Sequence, residues 1–500
     1  MYLKALNGLF APIARVKKYR TNVHYITDTE GHYPSFSSSI KKSTVVRFDS
    51  TGKLDFHPGV RDPYFIFGGD LTDRGVGDLK LARMLLDFKY RYSDRVILLV
   101  GNRESSKTRF FVELNPKYIR ERLIKGSAPF WLLSAPHQLP IDYVKKHMEA
   151  NHKSTDTLED IEHYVNCLDI EECQLIYLKW MLEQNLGCPN TFYYHQQHLA
   201  TEKGCSITDI SDYMVLRSIL EQNSPKGLIG EYIQQTQLAA IIPQAGIFAV
   251  HGGLTEENIG RLPSMQPSDP IIEDMHSWID QFNIWYKTEV TRWADLNVEN
   301  MLLDLRPARS PLDTFSIRVP SEYRSIVAAS MLDSQRRFVP VPGLVSDYLY
   351  RNGIQLVLSG HQPCGDHPAL LRSEDDRVVF INGDTSYANS RANNIHDTRG
   401  PSFHTLQIHA NEDHLNINID ASLLTGKEIK NSLDMSNGVV VDETPIGKLL
   451  PGNELVQCLL DGGYYRTIIQ EGFKVEYKFR TKEEIELLLS KNLNSPCSHV

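Results

Sequence analysis

The chain has 500 residues, a mass of 57.0 kDa and a formal net charge of −9. Apolar residues make up 41% and charged residues 23% of the chain, which excludes a fibrous or disordered protein and fits one large domain or two domains. The negative charge disfavours nucleic acid as a partner. The mean hydropathy of −0.32, without a run of about eighteen apolar residues, disfavours an integral membrane span.

The N-terminal residues carry basic side chains and no acidic one, and Asn7 and Pro12 interrupt their apolar stretch. We interpret residues 1–21 as a basic arm rather than a secretory signal, with a transit peptide as the alternative. The seven cysteines are scattered without C-x-x-C spacing, which indicates a reducing compartment such as the cytoplasm and no disulfide framework.

Six short apolar runs rich in β-branched and aromatic residues predict buried strands, each ending at a polar or glycine cluster. In chain order they cover residues 23–26, 64–67, 96–100, 247–250, 354–358 and 378–381. A helical stripe over residues 79–88 predicts a β-α-β crossover between the second and third runs. We therefore expect an α/β fold in which six strand ends deliver polar groups to one edge, where ligands bind in such folds.

Between the third and fourth runs, residues 115–244 predict a large helical insertion, with helix-period segments at residues 158–168, 175–182, 214–220 and 228–242. A strand connection does not need this length, so we expect the insertion to cover the site or to recruit a partner. Alternating runs at residues 403–408 and 415–419 predict the last strands of the catalytic unit. Residues 426–500, punctuated by proline and glycine, predict a small C-terminal appendage.

The segment Gly69-Asp70-Leu71-Thr72-Asp73-Arg74-Gly75 places two carboxylates and a guanidinium at a turn after a predicted strand. One carboxylate can bridge two metal ions, the other can orient a neighbour, and Arg74 can bind phosphate oxygens. Taken alone, this segment is better explained as a salt-bridged turn. An amide and two imidazoles at three other strand ends, Asn102, His251 and His361, make a metal centre the better explanation.

In order and strand context, these motifs resemble those of the calcineurin-like metallophosphoesterase superfamily, within it the phosphoprotein phosphatase branch. The similar segments are residues 69–75 for GDxxDRG, 101–104 for GN-x-E, 251–254 for HGGL, 293–295 for W-S-D, 360–361 for the last histidine motif and 382–384 for the closing turn. The resemblance implies a four-layer α/β/β/α sandwich, and we expect the catalytic domain to span residues 22–425.

The resemblance also implies two divalent metal ions, which clamp a phosphoryl group and lower the pKa of a bridging water that attacks phosphorus. The implied ligands are Asp28 and Asp70 for the first ion, and Asp70, Asn102, His251 and His361 for the second. Manganese is our first expectation, with iron, zinc and magnesium as alternatives. Arg74 is implied to bind the phosphate oxygens.

Two positions depart from the family pattern. The opening D-x-H-G reads Asp28-Thr29-Glu30-Gly31, so we expect Glu30 to be a harder ligand that favours manganese or magnesium, with His32 as an alternative ligand. The segment GNHE reads Gly101-Asn102-Arg103-Glu104, so Arg103 replaces the implied general-acid histidine. Arginine stays charged and cannot readily donate a proton, so we expect Arg103 to clamp phosphate.

The loss of a proton donor favours a substrate with a good leaving group. A phenol has a pKa of about 10, so we favour phosphotyrosine over phosphoserine and phosphothreonine in a phosphorylated protein, although Asp73 or a metal-bound water could still protonate an alkoxide. A dinucleoside polyphosphate hydrolase is an alternative. Another is an inactive pseudophosphatase in which Arg103 pairs with Asp73. Arg306 and Arg309 are further candidates for phosphate binding.

Two segments suggest partners and location. Residues 482–489 predict an acidic amphipathic helix before a polar tail, and this pattern also resembles the glutamate-rich export signal of bacterial type IV secretion effectors. A cytoplasmic protein and an effector exported into a host cell, binding a host protein through the insertion, therefore both remain open. The tyrosines and histidines of residues 193–198 predict an ordinary helix face, or alternatively a recognition surface.

Overall fold

The computed structural model of the protein describes residues 20–127, 138–296, 311–316, 324–385, 402–411, 413–441 and 443–493. Its strands are β1 (Thr21–Ile26), β2 (Val46–Phe48), β3 (Leu54–Phe56), β4 (Pro63–Phe67), β5 (Val96–Leu98), β6 (Ala239–Ile242), β7 (Ile247–Val250), β8 (Leu356–Ser359), β9 (Ala369–Arg372), β10 (Val379–Asn382), β11 (Phe403–Ala410), β12 (His414–Ser422), β13 (Glu428–Ser436), β14 (Val439–Val440), β15 (Leu449–Leu450), β16 (Glu454–Leu459), β17 (Tyr465–Glu471) and β18 (Lys474–Arg480).

The helices alternate with these strands in the first part of the chain and dominate its middle. They are α1 (Tyr33–Lys42), α2 (Asp78–Arg91), α3 (Asn102–Glu113), α4 (Ile119–Lys125), α5 (Pro140–Ala150), α6 (Leu158–Cys167), α7 (Ile170–Trp180), α8 (Thr191–Lys203), α9 (Asp212–Gln222), α10 (Leu228–Gln235), α11 (Met275–Ala294), α12 (Pro311–Phe315), α13 (Gly343–Arg351) and α14 (Lys482–Leu493). A single π-helical turn, Met181–Asn185, continues α7.

Two mixed sheets form the centre of the fold. The first has the order β14-β13-β12-β11-β1-β4-β5, and the second has the order β6-β7-β8-β10-β9. Strands β1, β4 and β5 are parallel in the first sheet, and β7, β8 and β10 are parallel in the second. All six predicted strands therefore belong to the two parallel cores, three in each sheet.

The two sheets face each other across a shared apolar core, and helices cover their outer faces. Val23, Tyr25 and Ile66 point into the core between the sheets together with Ile247 and Ala249. Their neighbours along the strands, among them Phe65, Phe67, Phe248 and Val250, pack outward against residues of α2, α11 and α13. This alternation is that of strands buried on both faces, and it confirms the predicted α/β sandwich.

The insertion has a hydrophobic core of its own, built from the end of α3 and from α4 to α9. The predicted helix over residues 228–242 is wrong in its second half, because α10 ends at Gln235 and residues 239–242 form β6. The run Ala-Ala-Ile-Ile pairs antiparallel with β7, and this pairing outweighs the helical pattern. Helix α10 itself packs against the main core through Ile229, Tyr232 and Ile233.

The first sheet extends beyond the expected end of the catalytic domain, because β13 pairs along its whole length with β12 and β14 follows. The predicted boundary at residue 425 therefore falls inside this sheet. The remaining appendage is a four-stranded antiparallel sheet, β15 to β18, with α14 packed on it through Ile485. At the N-terminus, residues 1–19 lie outside the described residues and Thr21 already begins β1.

Among the helices that the structure describes, none combines the length and the apolar composition that a membrane span requires. The six described cysteines are all unpaired thiols, and Cys497 lies outside the described residues.

Candidate metal centre

The predicted ligands lie in loops that follow the parallel strands of both sheets. Asp28 follows β1, Asp70 follows β4, Asn102 begins α3 after β5, His251 follows β7 and His361 follows β8. Because the carboxyl ends of these strands meet at one edge of the sandwich, the loops converge there.

The backbone of these loops is held in a conformation that costs free energy. Asp28, Glu30, Asp70, Asp73 and His361 all have positive φ angles, of 49°, 46°, 51°, 101° and 74°. Left-handed backbone at residues other than glycine costs on the order of 1–3 kcal/mol each, and it concentrates at functional sites where the surrounding structure enforces it.

Four of the predicted ligands form a compact group. The ligand atoms of Asp70, His251 and His361 all lie within 4.8 Å of one another. The amide oxygen Oδ1 of Asn102 lies 2.8 Å from Nδ1 of His361 and 3.2 Å from Nε2 of His251. Nε2 of His251 also lies 3.3 Å from Oδ1 of Asp70.

The two imidazoles are in the protonation state that a metal requires. Burial lowers the pKa of His251 to about 4 and the pKa of His361 well below its ordinary value. Nδ1 of His251 lies 2.8 Å from the carbonyl oxygen of Gly68, a contact that assigns the proton to Nδ1 and leaves the lone pair of Nε2 directed at Asp70. One carboxylate, one amide oxygen and two neutral imidazoles suit a divalent transition metal such as manganese, iron or zinc.

Carboxylates are concentrated beside this group. Burial raises the pKa of Asp70 to about 6, and burial together with the neighbouring Asp384 and Asp70 raises the pKa of Asp28 well above its ordinary value. The carboxylate of Asp28 accepts hydrogen bonds from the Thr27 hydroxyl at 2.5 Å and from the backbone N–H of His361 at 3.1 Å. A bound cation would offset the repulsion among these carboxylates.

Glu30 is placed among arginines. Its Oε1 lies 2.7 Å from Nε of Arg103, a close contact of charges without hydrogen-bond geometry, and 3.4 Å from Nε of Arg74. Nε of Arg103 also lies 3.4 Å from Oδ2 of Asp70. The two predicted phosphate clamps therefore share the carboxylate of the predicted ligand Glu30, whose backbone N–H donates to the carbonyl oxygen of Asp70 at 3.0 Å.

Asp73 has a partner that the sequence did not reveal. Nζ of Lys107 lies 2.6 Å from Oδ2 of Asp73 and donates to the hydroxyl of Thr72 at 2.7 Å. Nη1 of Arg103 lies 3.6 Å from the same carboxylate oxygen. Burial alone would raise the pKa of Asp73, but Lys107 and Arg103 outweigh burial and hold it below its ordinary value. Asp73 is therefore ionised at neutral pH and cannot donate a proton.

Glu104, the last residue of the GN-x-E segment, connects two loops of the site by hydrogen bonds. Its carboxylate accepts hydrogen bonds from the backbone N–H groups of Leu71 at 2.7 Å, Asp70 at 3.1 Å and Gly101 at 3.1 Å. Burial raises its pKa to about 7. Glu104 thus joins the loop after β4 to the start of α3, which carry Asp70 and Asn102.

The remaining predicted residues lie apart from the group or cannot be placed. His32 precedes α1, with its Nδ1 2.6 Å from Oγ of Ser35 and its ring stacked on Phe403, and it contacts no predicted ligand. Arg306 and Arg309 lie outside the described residues. Asp295 is exposed at the end of α11.

Two residues near the group were not predicted as site residues. The guanidinium of Arg336 lies 3.5 Å from the centroid of the Phe473 ring and is close enough to His361 to contribute to lowering its pKa. Asp384, after β10, is buried and is the neighbour that raises the pKa of Asp28 most. Asp384 stood in a motif recognised in the sequence, whereas nothing distinguished Arg336 from other arginines of its region.

Comparison with known families finds a match in the first half of the chain. The model of the calcineurin-like phosphoesterase family matches residues 23–230. A cold-active protein-tyrosine phosphatase of a psychrophilic Shewanella species is 13% identical over 83% of this chain and 82% of its own, with a TM-score of 0.39. A protein serine/threonine phosphatase of Saccharomyces cerevisiae is 10% identical over 85% of this chain and 82% of its own, with a TM-score of 0.31. Similarities at this level do not bear on the substrate.

Proposed function

From the calcineurin-like metallophosphoesterase domain that this chain contains, we propose that the protein is a metal-dependent phosphatase. It hydrolyses phosphomonoesters of phosphorylated proteins by direct attack of water on phosphorus, without a covalent intermediate. The observation that carries this proposal is the compact group of Asp70, His251 and His361 beside the guanidinium of Arg103. The proposed metal ligands and the proposed phosphate-binding arginine thus lie close together, which supports the proposal.

Two divalent ions, with manganese favoured, fit the proposal. Asp70, Asn102, His251 and His361 would hold one ion, and Asp28, Asp70 and Glu30 would contribute to the other. When bound, the ions neutralise charge on the phosphoryl oxygens and make water a better nucleophile. Holding Glu30 on a metal requires its carboxylate to be shared with Arg103 and Arg74, which both contact it.

The arginines bind and orient the phosphate. Arg74 and Arg103 stand next to the predicted ligands with side chains 20% and 13% exposed, so both are largely shielded from water and yet reachable by a substrate. Their shared contact with Glu30 fixes them relative to each other. Arg336, near His361, is a further candidate to stabilise the negative charge that develops on the phosphoryl group in the transition state. The predicted Arg306 and Arg309 remain candidates for the same role.

The protonation states favour an aryl phosphate. Arg103 occupies the place of the family's proton donor, and the pKa of Asp73 lies below its ordinary value. Neither residue can supply a proton to a basic alkoxide, whereas a phenolate leaves without one. We therefore favour phosphotyrosine as the substrate.

Hydrolysis of p-nitrophenyl phosphate by metal-stripped protein, before and after addition of Mn²⁺, tests the proposed activity. We expect activity only with the metal, and we expect Asp70→Asn to lower kcat/KM by more than about 100-fold. Asp94→Asn, which changes an exposed carboxylate, is the matched control and should leave kcat/KM unchanged. Inactive wild-type protein that binds Mn²⁺ would instead support the pseudophosphatase.

Phosphotyrosine and phosphothreonine peptides of the same sequence test the substrate preference. We expect faster turnover of phosphotyrosine by the wild type. The double variant Glu30→His/Arg103→His restores the family's residues at both positions, so it should raise phosphothreonine turnover relative to phosphotyrosine. Faster phosphothreonine hydrolysis by the wild type would contradict the preference.

We also propose that α14 acts as an export signal of an effector that works inside a host cell. Glu483, Glu484 and Glu486 are exposed on this helix, while Ile485 anchors it to the appendage. A reporter fused to the chain tests the idea in a type IV secretion strain. Unchanged translocation after deletion of about the last twenty residues would refute it.

A further inference from the structure

One segment of the helical insertion reaches the candidate metal centre. The π-helical turn Met181–Asn185 ends α7, and the backbone N–H of Cys188 then donates to the carbonyl oxygen of Leu182 at 2.7 Å. The thiol of Cys188 donates to the carbonyl oxygen of Leu186 at 3.1 Å. These bonds fix Cys188 at the inner side of the insertion, and short π-helical turns occur frequently at functional sites.

Three residues of the segment from Met181 to His198 contact Arg103 or the loop that carries Arg74. Nη1 of Arg103 donates to Sγ of Cys188 at 2.6 Å. The hydroxyl of Thr191 donates to the carbonyl oxygen of Asp73 at 2.9 Å. Nδ1 of His198 lies 3.3 Å from the carbonyl oxygen of Val76. His198 lies about two turns after Thr191 on the same face of α8. The segment therefore spans the loop from Asp73 to Val76 and the guanidinium of Arg103.

The charge state of Cys188 matters for what it does to Arg103. Cys188 is 3% exposed, and burial raises its pKa above the ordinary value although Arg103 opposes the shift. The residue is therefore a neutral thiol at neutral pH. A neutral acceptor holds the guanidinium in place and leaves its positive charge available, whereas a further carboxylate would neutralise that charge.

The other contacts of Arg103 show why it needs such a support. Its Nε faces Glu30 and Asp70, and Nη1 is 3.6 Å from Asp73. Without Cys188, the guanidinium could turn fully onto these carboxylates and lose its ability to bind phosphate. The bond to Cys188 holds Nη1 against the insertion.

We propose that Cys188, supported by Thr191, is a positioning residue that holds Arg103 in its phosphate-binding orientation. The inference rests on the proposed function, in which Arg103 binds the substrate phosphate. It assigns a role to the insertion: this segment supplies a hydrogen-bond acceptor that supports an arginine at the position where the family has an imidazole.

A double-mutant cycle tests the inference, with Cys188→Ala, Arg103→Gln and the double variant measured on the full chain with Mn²⁺. The readouts are kcat/KM for p-nitrophenyl phosphate and the Kd of inorganic phosphate by calorimetry. We expect Cys188→Ala to lower kcat/KM and to raise Kd, each by about 10-fold. In the Arg103→Gln background we expect no further effect, because the group that Cys188 positions is gone.

Two variants separate positioning from a loss of structure. Cys188→Ser keeps a neutral acceptor and should recover part of both losses. Cys173→Ala removes a buried thiol from the core of the insertion, away from Arg103, and should leave kcat/KM and Kd unchanged. Thermal unfolding midpoints show whether each variant is folded.

Independent, multiplicative effects of Cys188→Ala and Arg103→Gln would overturn the inference, as would an unchanged Kd in Cys188→Ala. A wild type that hydrolyses no phosphomonoester would overturn the proposed function instead. In that case the phosphate-binding cycle still decides the role of Cys188, and a wild type that does not bind inorganic phosphate overturns this role as well.

Discussion

At the scale of single residues, the two departures from the family pattern are one structural feature. Glu30 and Arg103 are far apart in the sequence, but Oε1 and Nε lie 2.7 Å apart. A carboxylate and a guanidinium together take the place of two imidazoles, so the pair keeps the local charge balanced. We infer that neither replacement is stable without the other, since a lone buried charge is costly.

The ion pair between Lys107 and Asp73 gives a prediction for stability. Both side chains are at most 5% exposed, and removal of one partner leaves the other charge buried. We expect Lys107→Met to lower the free energy of unfolding by about 3–5 kcal/mol. The measurement is urea denaturation with the metal present.

The pair between Lys179 and Asp212 provides the matched control, with the same 2.6 Å separation but with both side chains 44% exposed. Lys179→Met should cost less than about 1 kcal/mol. Equal losses in the two variants would contradict the assignment of Lys107 as the partner that keeps Asp73 ionised.

The sequence revealed those site residues that follow strands directly. Asp28, Asp70, Asn102, His251 and His361 each come after a short apolar run, so strand topology alone predicts that they meet. Lys107 lies on α3, and Cys188 lies in the short connection between the π-helical turn and α8. A single residue at either place carries no local signal. Their contacts with Asp73 and Arg103 appear only when α3 packs against the loop after β4 and against the insertion.

At the scale of elements, the parallel strands were predictable because each is buried on both faces. Where burial is one-sided, the pattern weakens: β13 reads Glu-Ile-Lys-Asn-Ser-Leu-Asp-Met-Ser, and this pattern predicts a place in the appendage rather than in the first sheet. The sequence of β6 predicts the end of a helix, because its Ala and Ile residues continue the helical spacing. Pairing partners, which a local pattern does not contain, decided both cases.

Buried histidines near β1 and β11 predict a loss of stability in acid. Burial lowers the pKa of His24 and of His404 to about 3, and that of His367 to about 4. The unfolded chain binds protons at these side chains below about pH 6.5, and the folded chain does not. Stability is therefore complete above about pH 6.5 and falls as the pH decreases toward 4, by about 1.4 kcal/mol per pH unit for each histidine.

Chemical denaturation at pH 7 and at pH 5 measures this effect. We expect His24→Phe, which keeps an aromatic ring beside Phe65, to reduce the difference in unfolding free energy between the two pH values by about 2 kcal/mol. The exposed His414 offers the control, since His414→Gln should leave the difference unchanged. An unchanged difference in the His24 variant would show that His24 is protonated in the folded state.

At the scale of the whole molecule, the appendage supports the loop that follows His361. Arg466 on β17 pairs with Asp366 at 2.9 Å, and the hydroxyl of Tyr477 on β18 donates to the same carboxylate at 2.8 Å. Gln470 donates to the carbonyl oxygen of Pro363 at 3.0 Å. Burial alone would raise the pKa of Asp366, but Arg466 and the hydrogen bonds hold it below its ordinary value.

This docking predicts that a change in the appendage reaches the candidate metal centre. Arg466→Met leaves Asp366 buried without its cation, so we expect a loss of about 3–5 kcal/mol in unfolding free energy. We also expect faster amide hydrogen exchange in residues 361–367. Lys482→Met, which removes an exposed pair with Glu443, is the control. Unchanged exchange in residues 361–367 would mean that the appendage does not support this loop.

The central claim is that loops from both sheets form one metal site, and an anomalous-scattering map of crystals of the full chain grown with Mn²⁺ tests it most directly. We predict a peak about 2.0–2.3 Å from the ligand atoms of Asp70, His251 and His361, with Asn102 as a further ligand. The absence of a peak at this position in crystals grown with Mn²⁺ would contradict the account.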